Sequence, residues 1–158
     1  MILSLHERQL WQLSTFVADR LGLNFPRARW GDLEQQTNPA AKEFGFSDLA
    51  TFVPWLLSGS PTRKQIETLA GQLTISETYF WRDPQVFEAL RNPILSDLIR
   101  ERATRGRRLR ILCAGCATGE EAFSIAMLLH ELIPDSENWH ITLLATDINP
   151  QVLRRAAL

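Results

Sequence analysis

The chain has only two cysteines, Cys113 and Cys116, too few to complete a four-ligand zinc site, and His130 and His140 are not spaced to supply the rest. No apolar run approaches the roughly 18 residues that would suggest a membrane span. The opening residues, Met1-Ile2-Leu3-Ser4-Leu5-His6-Glu7-Arg8, lack the basic head, apolar stretch and small-residue cleavage site of an export signal. Neither sign of charge dominates: 17 basic and 18 acidic side chains leave a net charge of -1, which argues against a dedicated nucleic-acid binder. Internal repeats and low-complexity tracts are also missing. What remains is an ordinary globular balance, 45% hydrophobic and 22% charged over 158 residues, long enough to bury a core as one domain or two small ones. These features predict a soluble, cytoplasmic protein that does not insert in a membrane.

The near-neutral total conceals a pattern. Residues 91–110 hold seven basic and two acidic side chains, while the segments on either side are net acidic. The basic joint, Arg100, Arg102, Arg105, Arg107, Arg108 and Arg110, suits an electrostatic contact or a solvated helix end and linker equally well.

Before the joint the periodicity is helical. Leu10, Trp11, Leu13, Phe16, Val17 and Leu21 recur at helical spacing and Gly22 is a plausible stop. A weaker segment around Leu33 is expected to break at Pro39. Ser47 is a candidate cap for a helix carrying Leu49, Phe52, Val53, Trp55 and Leu56, with Pro54 near its start or kinking it, and Ser60-Pro61 begins another with Ile66, Leu69 and Leu73 on one face. Trp11, Phe16, Phe52, Trp55 and Leu69 are the expected core. A long helix is predicted from about Pro84 to Ala103.

After the joint the grammar changes. Leu109-Arg110-Ile111-Leu112-Cys113 and His140-Ile141-Thr142-Leu143-Leu144-Ala145 read as short buried strands, each followed by a helical pattern, the second beginning near Pro150. Strand–helix–strand–helix is the opening of a parallel α/β sheet. Such a sheet normally has five or more strands, so two strands ending inside a helix at Leu158 predict a partial domain. The fold class is therefore α+β overall: an all-α front domain over 1–83, a connecting helix and Arg-rich linker over 84–110, and the start of a Rossmann-like α/β domain over 111–158.

Two stretches carry chemistry. In Cys113-Ala114-Gly115-Cys116-Ala117-Thr118-Gly119-Glu120-Glu121, glycines at a strand-to-helix turn permit positive φ and close backbone approach by a ligand. Asp147, beyond the second strand, has the chemistry to accept both hydroxyls of a ribose; alternatively it only caps the next helix. Cys113 and Cys116 spell a C-x-x-C, which reads as a dithiol redox site or as two small side chains fitting a tight turn. In Ser76-Glu77-Thr78-Tyr79-Phe80-Trp81-Arg82-Asp83-Pro84, the aromatics suit core packing and Asp83-Pro84 a helix start, but the Arg82 guanidinium must find a carboxylate, backbone or ligand partner.

Glu77-Thr78-Tyr79-Phe80-Trp81-Arg82-Asp83, Ala114-Gly115-Cys116-Ala117-Thr118-Gly119-Glu120-Glu121 and Ala145-Thr146-Asp147-Ile148-Asn149 resemble, in order and spacing, three signatures of CheR-type chemotaxis receptor methyltransferases. The resemblance spans nearly the whole chain. It implies a helical front domain followed by an S-adenosylmethionine-binding α/β domain, and methylation of glutamate side chains on the cytoplasmic helices of a methyl-accepting chemoreceptor or related sensory protein, with S-adenosylhomocysteine as product. By the same resemblance Ser76, Thr78 and Arg82 contact the cofactor, Gly115 and Gly119 shape its turn, Glu121 lies near its methionine end and Asp147 holds its ribose. Arg82 is also the candidate catalytic residue, near the transferred methyl group, and no metal is implied. Trp81 and Ala117 replace the usual Phe and Ser. Asp32-Leu33-Glu34-Gln35-Gln36 is acidic to neutral where receptor-docking members are commonly basic. As a fragment, the chain is expected to be inactive and to self-associate. The alternative from another class is a non-catalytic CheR-like module that binds a receptor or partner.

Overall fold

The computed structural model describes residues 5–157. Met1–Ser4 and Leu158, with which the sequence reading begins the front domain and ends the last helix, lie outside the described residues. Two compact units divide between Ile75 and Ser76. Residues 76–110, read from sequence partly as front domain and partly as linker, group with the strands.

Among its described residues the first unit has four α-helices around one core. In α1 (Glu7–Leu21) the Gln9 side chain accepts the His6 N–H at 3.2 Å, and Gly22 ends the helix at φ 69° with its N–H on Ala18 O. Gly22 thus takes the left-handed conformation that glycine adopts at little cost. Leu13, Val17 and Leu21, four residues apart, form the buried stripe. Trp11 lies off that stripe and is 59% exposed, so it is not part of the core.

Helix α2 (Trp30–Glu43) runs through Pro39 rather than breaking there. Proline removes one backbone donor, but Leu33, Thr37, Ala40 and Ala41 bury a continuous face, and the Thr37 hydroxyl donates to Leu33 O at 2.6 Å. Helix α3 (Leu49–Ser58) is capped by Asp48, not Ser47: Asp48 Oδ1 accepts the Thr51 N–H at 2.8 Å, while Ser47 donates to the other carboxylate oxygen. Its Phe52 and Trp55 join Phe44 and Phe46 in an aromatic cluster with ring centroids 5.0–5.9 Å apart. Helix α4 (Arg63–Leu73) starts two residues after Pro61, with Thr62 and Gln65 capping each other.

In the second unit, the expected helix from Pro84 to Ala103 is two: α5 (Pro84–Ala89) and α6 (Ser96–Ala103). Between them Asn92 is extended (φ -151°, ψ 119°), because the ring of Pro93 crowds the α conformation of the residue before it. Arg91 grips both carboxylate oxygens of Glu131 from this irregular stretch. Then come β1 (Arg108–Ala114), α7 (Glu120–Leu132), β2 (His140–Thr146) and α8 (Pro150–Ala156). The strands pair in parallel, Arg108 opposite His140 through Ala114 opposite Thr146. Leu109, Ile111 and Cys113 with Ile141, Leu143 and Ala145 face Ile125, Leu128 and Leu129 of α7 in one core. On the opposite sheet face Leu112 and Leu144 are 61% and 56% exposed. No helix among the described residues is long and apolar enough to cross a membrane.

Phe52 is fully buried and Trp11 is not. Phe52→Ala is accordingly expected to cost about 3–5 kcal/mol of unfolding free energy, and Trp11→Ala no more than about 0.5 kcal/mol. Denaturant titration of both variants checks the contrast.

Candidate functional site

The carboxyl ends of the two strands build the first half of the site. Gly115 N–H and Cys116 N–H both donate to Thr146 O, at 2.8 and 2.9 Å, so the chain leaving β1 is stitched to the last residue of β2. It then turns through Gly115 (φ 86°), Ala117 (φ 47°) and Gly119 (φ 100°) into α7. Gly115 faces open space, with no atom within 4 Å of where a Cβ would lie. At Gly119 a Cβ would come within 3.1 Å of Ala156 Cβ and 3.2 Å of the Phe123 ring, so a side chain there requires its neighbours to shift by a few tenths of an ångström.

Asp147 is half-buried beside this turn. One carboxylate oxygen accepts the Ala117 N–H at 2.9 Å and the other the Asn149 N–H at 2.8 Å. The cap of α8 is Asn149, whose side chain accepts the Gln151 N–H at 2.9 Å. Asp147 is therefore a brace between the glycine turn and the start of α8. An ionised carboxylate has about four acceptor positions, so two backbone donors leave one on each oxygen. That free capacity, with the open approach at Gly115, fits a ligand carrying adjacent hydroxyls.

Glu120 and Glu121 open α7, where a helix favours negative charge. Thr118 Oγ1 donates to Glu120 Oε2 at 2.6 Å. Burial pushes the Cys113 thiol up from 9.0 to about 11, with the Glu121 carboxylate beside it as the second cause. Burial also raises Cys116, helped by the negative charge of Asp147. Both cysteines are free and buried, the opposite of the exposed, low-pKa thiol of a dithiol catalyst. They act as small side chains lining the turn.

The second half is the segment 76–83. Ser76 and Thr78 are half-buried and Arg82 is exposed. Arg82 Nη1 donates to Glu77 O at 2.6 Å and Tyr79 Oη to Arg82 O at 3.3 Å, closing the segment on itself. Trp81 takes a left-handed φ of 58° and sets its ring edge-on to Phe87, with centroids 4.9 Å apart. Its N–H donates to Ser124 Oγ at 3.1 Å. Ser124, fully buried in α7, escaped the sequence reading. The available signal was a small polar residue between Ala122 and Ile125 in the buried stripe of α7, a position that demands a partner.

Gly115, Gly119, Glu121 and Asp147 thus come together at the strand ends, and the segment with Ser76, Thr78 and Arg82 is tied to the same helix one turn further on. A glycine turn at the carboxyl end of a first parallel strand, faced by an acid after the second, is the arrangement of nucleoside-cofactor sites in α/β domains. Residues 76–158 match the CheR methyltransferase SAM-binding domain. The chain belongs to the CheR methyltransferase family. It is 30% identical over 150 residues to a chemotaxis protein methyltransferase of Borreliella burgdorferi, covering 94% of this chain and 53% of that protein. It is 33% identical over 112 residues to chemotaxis protein methyltransferase 2 of Vibrio cholerae, covering 71% of this chain and 37% of that protein. A probable chemotaxis protein methyltransferase of Rhizobium etli is 35% identical over 96 residues, 61% of this chain and 34% of that protein. The chain spans about half, or less, of the length of these relatives.

The raised Cys113 thiol gives a pH dependence of definite sign. The folded state holds this proton more tightly than the unfolded state, so the stabilisation is fully present below the ordinary value of 9.0 and is lost as pH rises through about 11. Thiolate ultraviolet absorbance and denaturant midpoints, followed together with rising pH, are expected to show this. A Cys113 thiolate appearing below 9.0 in the folded protein would contradict it.

Proposed function

We propose that the protein transfers methyl groups from S-adenosylmethionine to glutamate side chains on the cytoplasmic helices of a chemoreceptor-type signalling protein. The observation that carries this reading is the half-buried Asp147 carboxylate, braced by Ala117 N–H at the mouth of the glycine turn with acceptor capacity left on both oxygens. When bound, S-adenosylmethionine supplies a sulfonium-activated methyl: a new O–CH3 bond to the glutamate carboxylate forms as the S–CH3 bond breaks and its electron pair passes to sulfur, leaving S-adenosylhomocysteine.

In this reading Asp147 accepts the two ribose hydroxyls, and Gly115 lets the nucleoside lie against the backbone. Glu121, held at the start of α7, pairs with the ammonium at the methionine end. Ser76 and Thr78 would supply hydroxyls to the cofactor from the 76–83 segment. Arg82 presents a fixed positive charge that steers the acceptor carboxylate into line. An ionised carboxylate needs no base to become a nucleophile, so alignment is the main task left to the protein. The exposed Leu112 and Leu144 support reading residues 1–158 as a part of this enzyme that is inactive by itself and self-associates through the open sheet face.

Two measurements on the full-length protein test the proposal. Asp147→Ala is expected to weaken S-adenosylhomocysteine binding by about 1–3 kcal/mol in calorimetry, with Asp147→Asn as the control that keeps one oxygen. Unchanged affinity in both reduces Asp147 to a turn brace, and a wild-type protein that binds neither cofactor nor product favours a non-catalytic binding module. Arg82→Lys keeps the charge but not the planar fork of donors. It is expected to lower labelled methyl transfer to receptor glutamates at least about tenfold, and wild-type turnover would leave Arg82 only a structural part.

A further inference from the structure

The two halves of the site lie far apart in sequence, yet one side chain joins them. Ser124 is fully buried in α7, and its single hydroxyl proton is donated to Glu120 O at 2.6 Å. That bond orients the oxygen so that a lone pair receives the Trp81 N–H at 3.1 Å, across 43 residues of sequence. The segment so held has neither helix nor strand pairing of its own between Thr74 and Pro84. Its internal bonds, Arg82 to Glu77 O and Tyr79 to Arg82 O, shape the loop but do not place it against the rest of the domain. Placement falls to the Trp81 amide on Ser124 and the Trp81 ring on Phe87, beside an apolar hollow that Phe80 shares with Phe123, Ala126 and Met127 of α7.

Trp81 holds a left-handed φ of 58°, a conformation that bulky residues keep only where the surroundings enforce it. The enforcing contact acts on the residue immediately before Arg82 and three after Thr78. At the other end, Ser124 lies one helical turn beyond Glu120, and the ring of Phe123 beside it packs 3.2 Å from where a Gly119 Cβ would lie.

We infer that Ser124 is a positioning residue for the cofactor site, fixing the Thr78–Arg82 segment relative to the glycine turn without touching the cofactor itself. This rests on the methyltransferase reading above. Its consequence is specific: loss of the hydroxyl disorders one side of the site while the sheet, α7 and the glycine turn keep their structure. The effect must therefore be routed through Arg82 and its neighbours.

The test uses Ser124→Ala, Ser124→Thr and Arg82→Ala in the full-length protein, singly and as the Ser124→Ala/Arg82→Ala pair. Hydrogen exchange in the wild type is expected to show Trp81 N–H protected well beyond Tyr79 and Phe80. In Ser124→Ala that protection falls at least about tenfold while β1 and β2 amides are unchanged. S-adenosylhomocysteine affinity falls about five- to tenfold in Ser124→Ala. Ser124→Thr, which keeps a hydroxyl, restores both readings. In the pair, Ser124→Ala adds little to Arg82→Ala, the signature of residues acting through one element. A Trp81 amide that exchanges as fast as its neighbours in the wild type overturns the inference even if Ser124→Ala does not fold. So does full affinity in Ser124→Ala, or a loss that simply adds to that of Arg82→Ala. If Arg82→Ala and Asp147→Ala weaken binding but Ser124→Ala does not, the methyltransferase reading survives and the positioning role fails. Wild-type protein that binds no S-adenosylhomocysteine removes both.

Discussion

The Thr146 carbonyl accepts the amide hydrogens of Gly115 and Cys116, so the parallel pairing of β1 and β2 continues past the last residue of β1 into the turn. Everything at the carboxyl end of the sheet depends on that register. With Ala114 opposite Thr146, Asp147 reaches Ala117 N–H and the buried face keeps Cys113 and Ala145 against α7. A slip by one residue would turn both side chains to the other face and withdraw the carboxylate from the turn. The register is strongly specified because one sheet face is buried.

Negative charge at this end is placed where it is tolerated. Glu120 and Glu121 occupy the first turn of α7, and Asp147 receives two backbone donors. The neighbouring thiols stay protonated, since burial and these same carboxylates both oppose a thiolate. The turn thereby presents acceptors and open backbone to a ligand without a competing nucleophile.

The strands, the glycine turn and α7 were legible because their signals are local: short apolar runs, glycines where φ must be positive, and an acidic first turn. The front helices were legible from the spacing of Leu13, Val17 and Leu21, but not which aromatic faces in, because Trp11 shares the periodicity loosely and sits off the stripe. Proline misled in both directions. Pro39 is carried inside α2 because tertiary burial of Leu33, Thr37 and Ala40 outweighs one missing bond, whereas Pro93 divides what looked like one helix by forcing Asn92 extended. In the candidate site, Asp147 and the glycines stood out, while Ser124 did not. Its contact to Trp81 spans 43 residues, and no local pattern encodes a partner that distant.

Gly119 and Ala156 meet across the turn and α8, with a Cβ at 119 falling 3.1 Å from the Ala156 methyl. The two positions share one small volume, so a side chain added at 119 is felt at 156. A methyl added at 119 would press on Ala156 and so on α8, whose start carries the Asn149 cap beside the Asp147 brace. The missing side chain at 119 therefore leaves room for the end of α8 as well as permitting the left-handed turn.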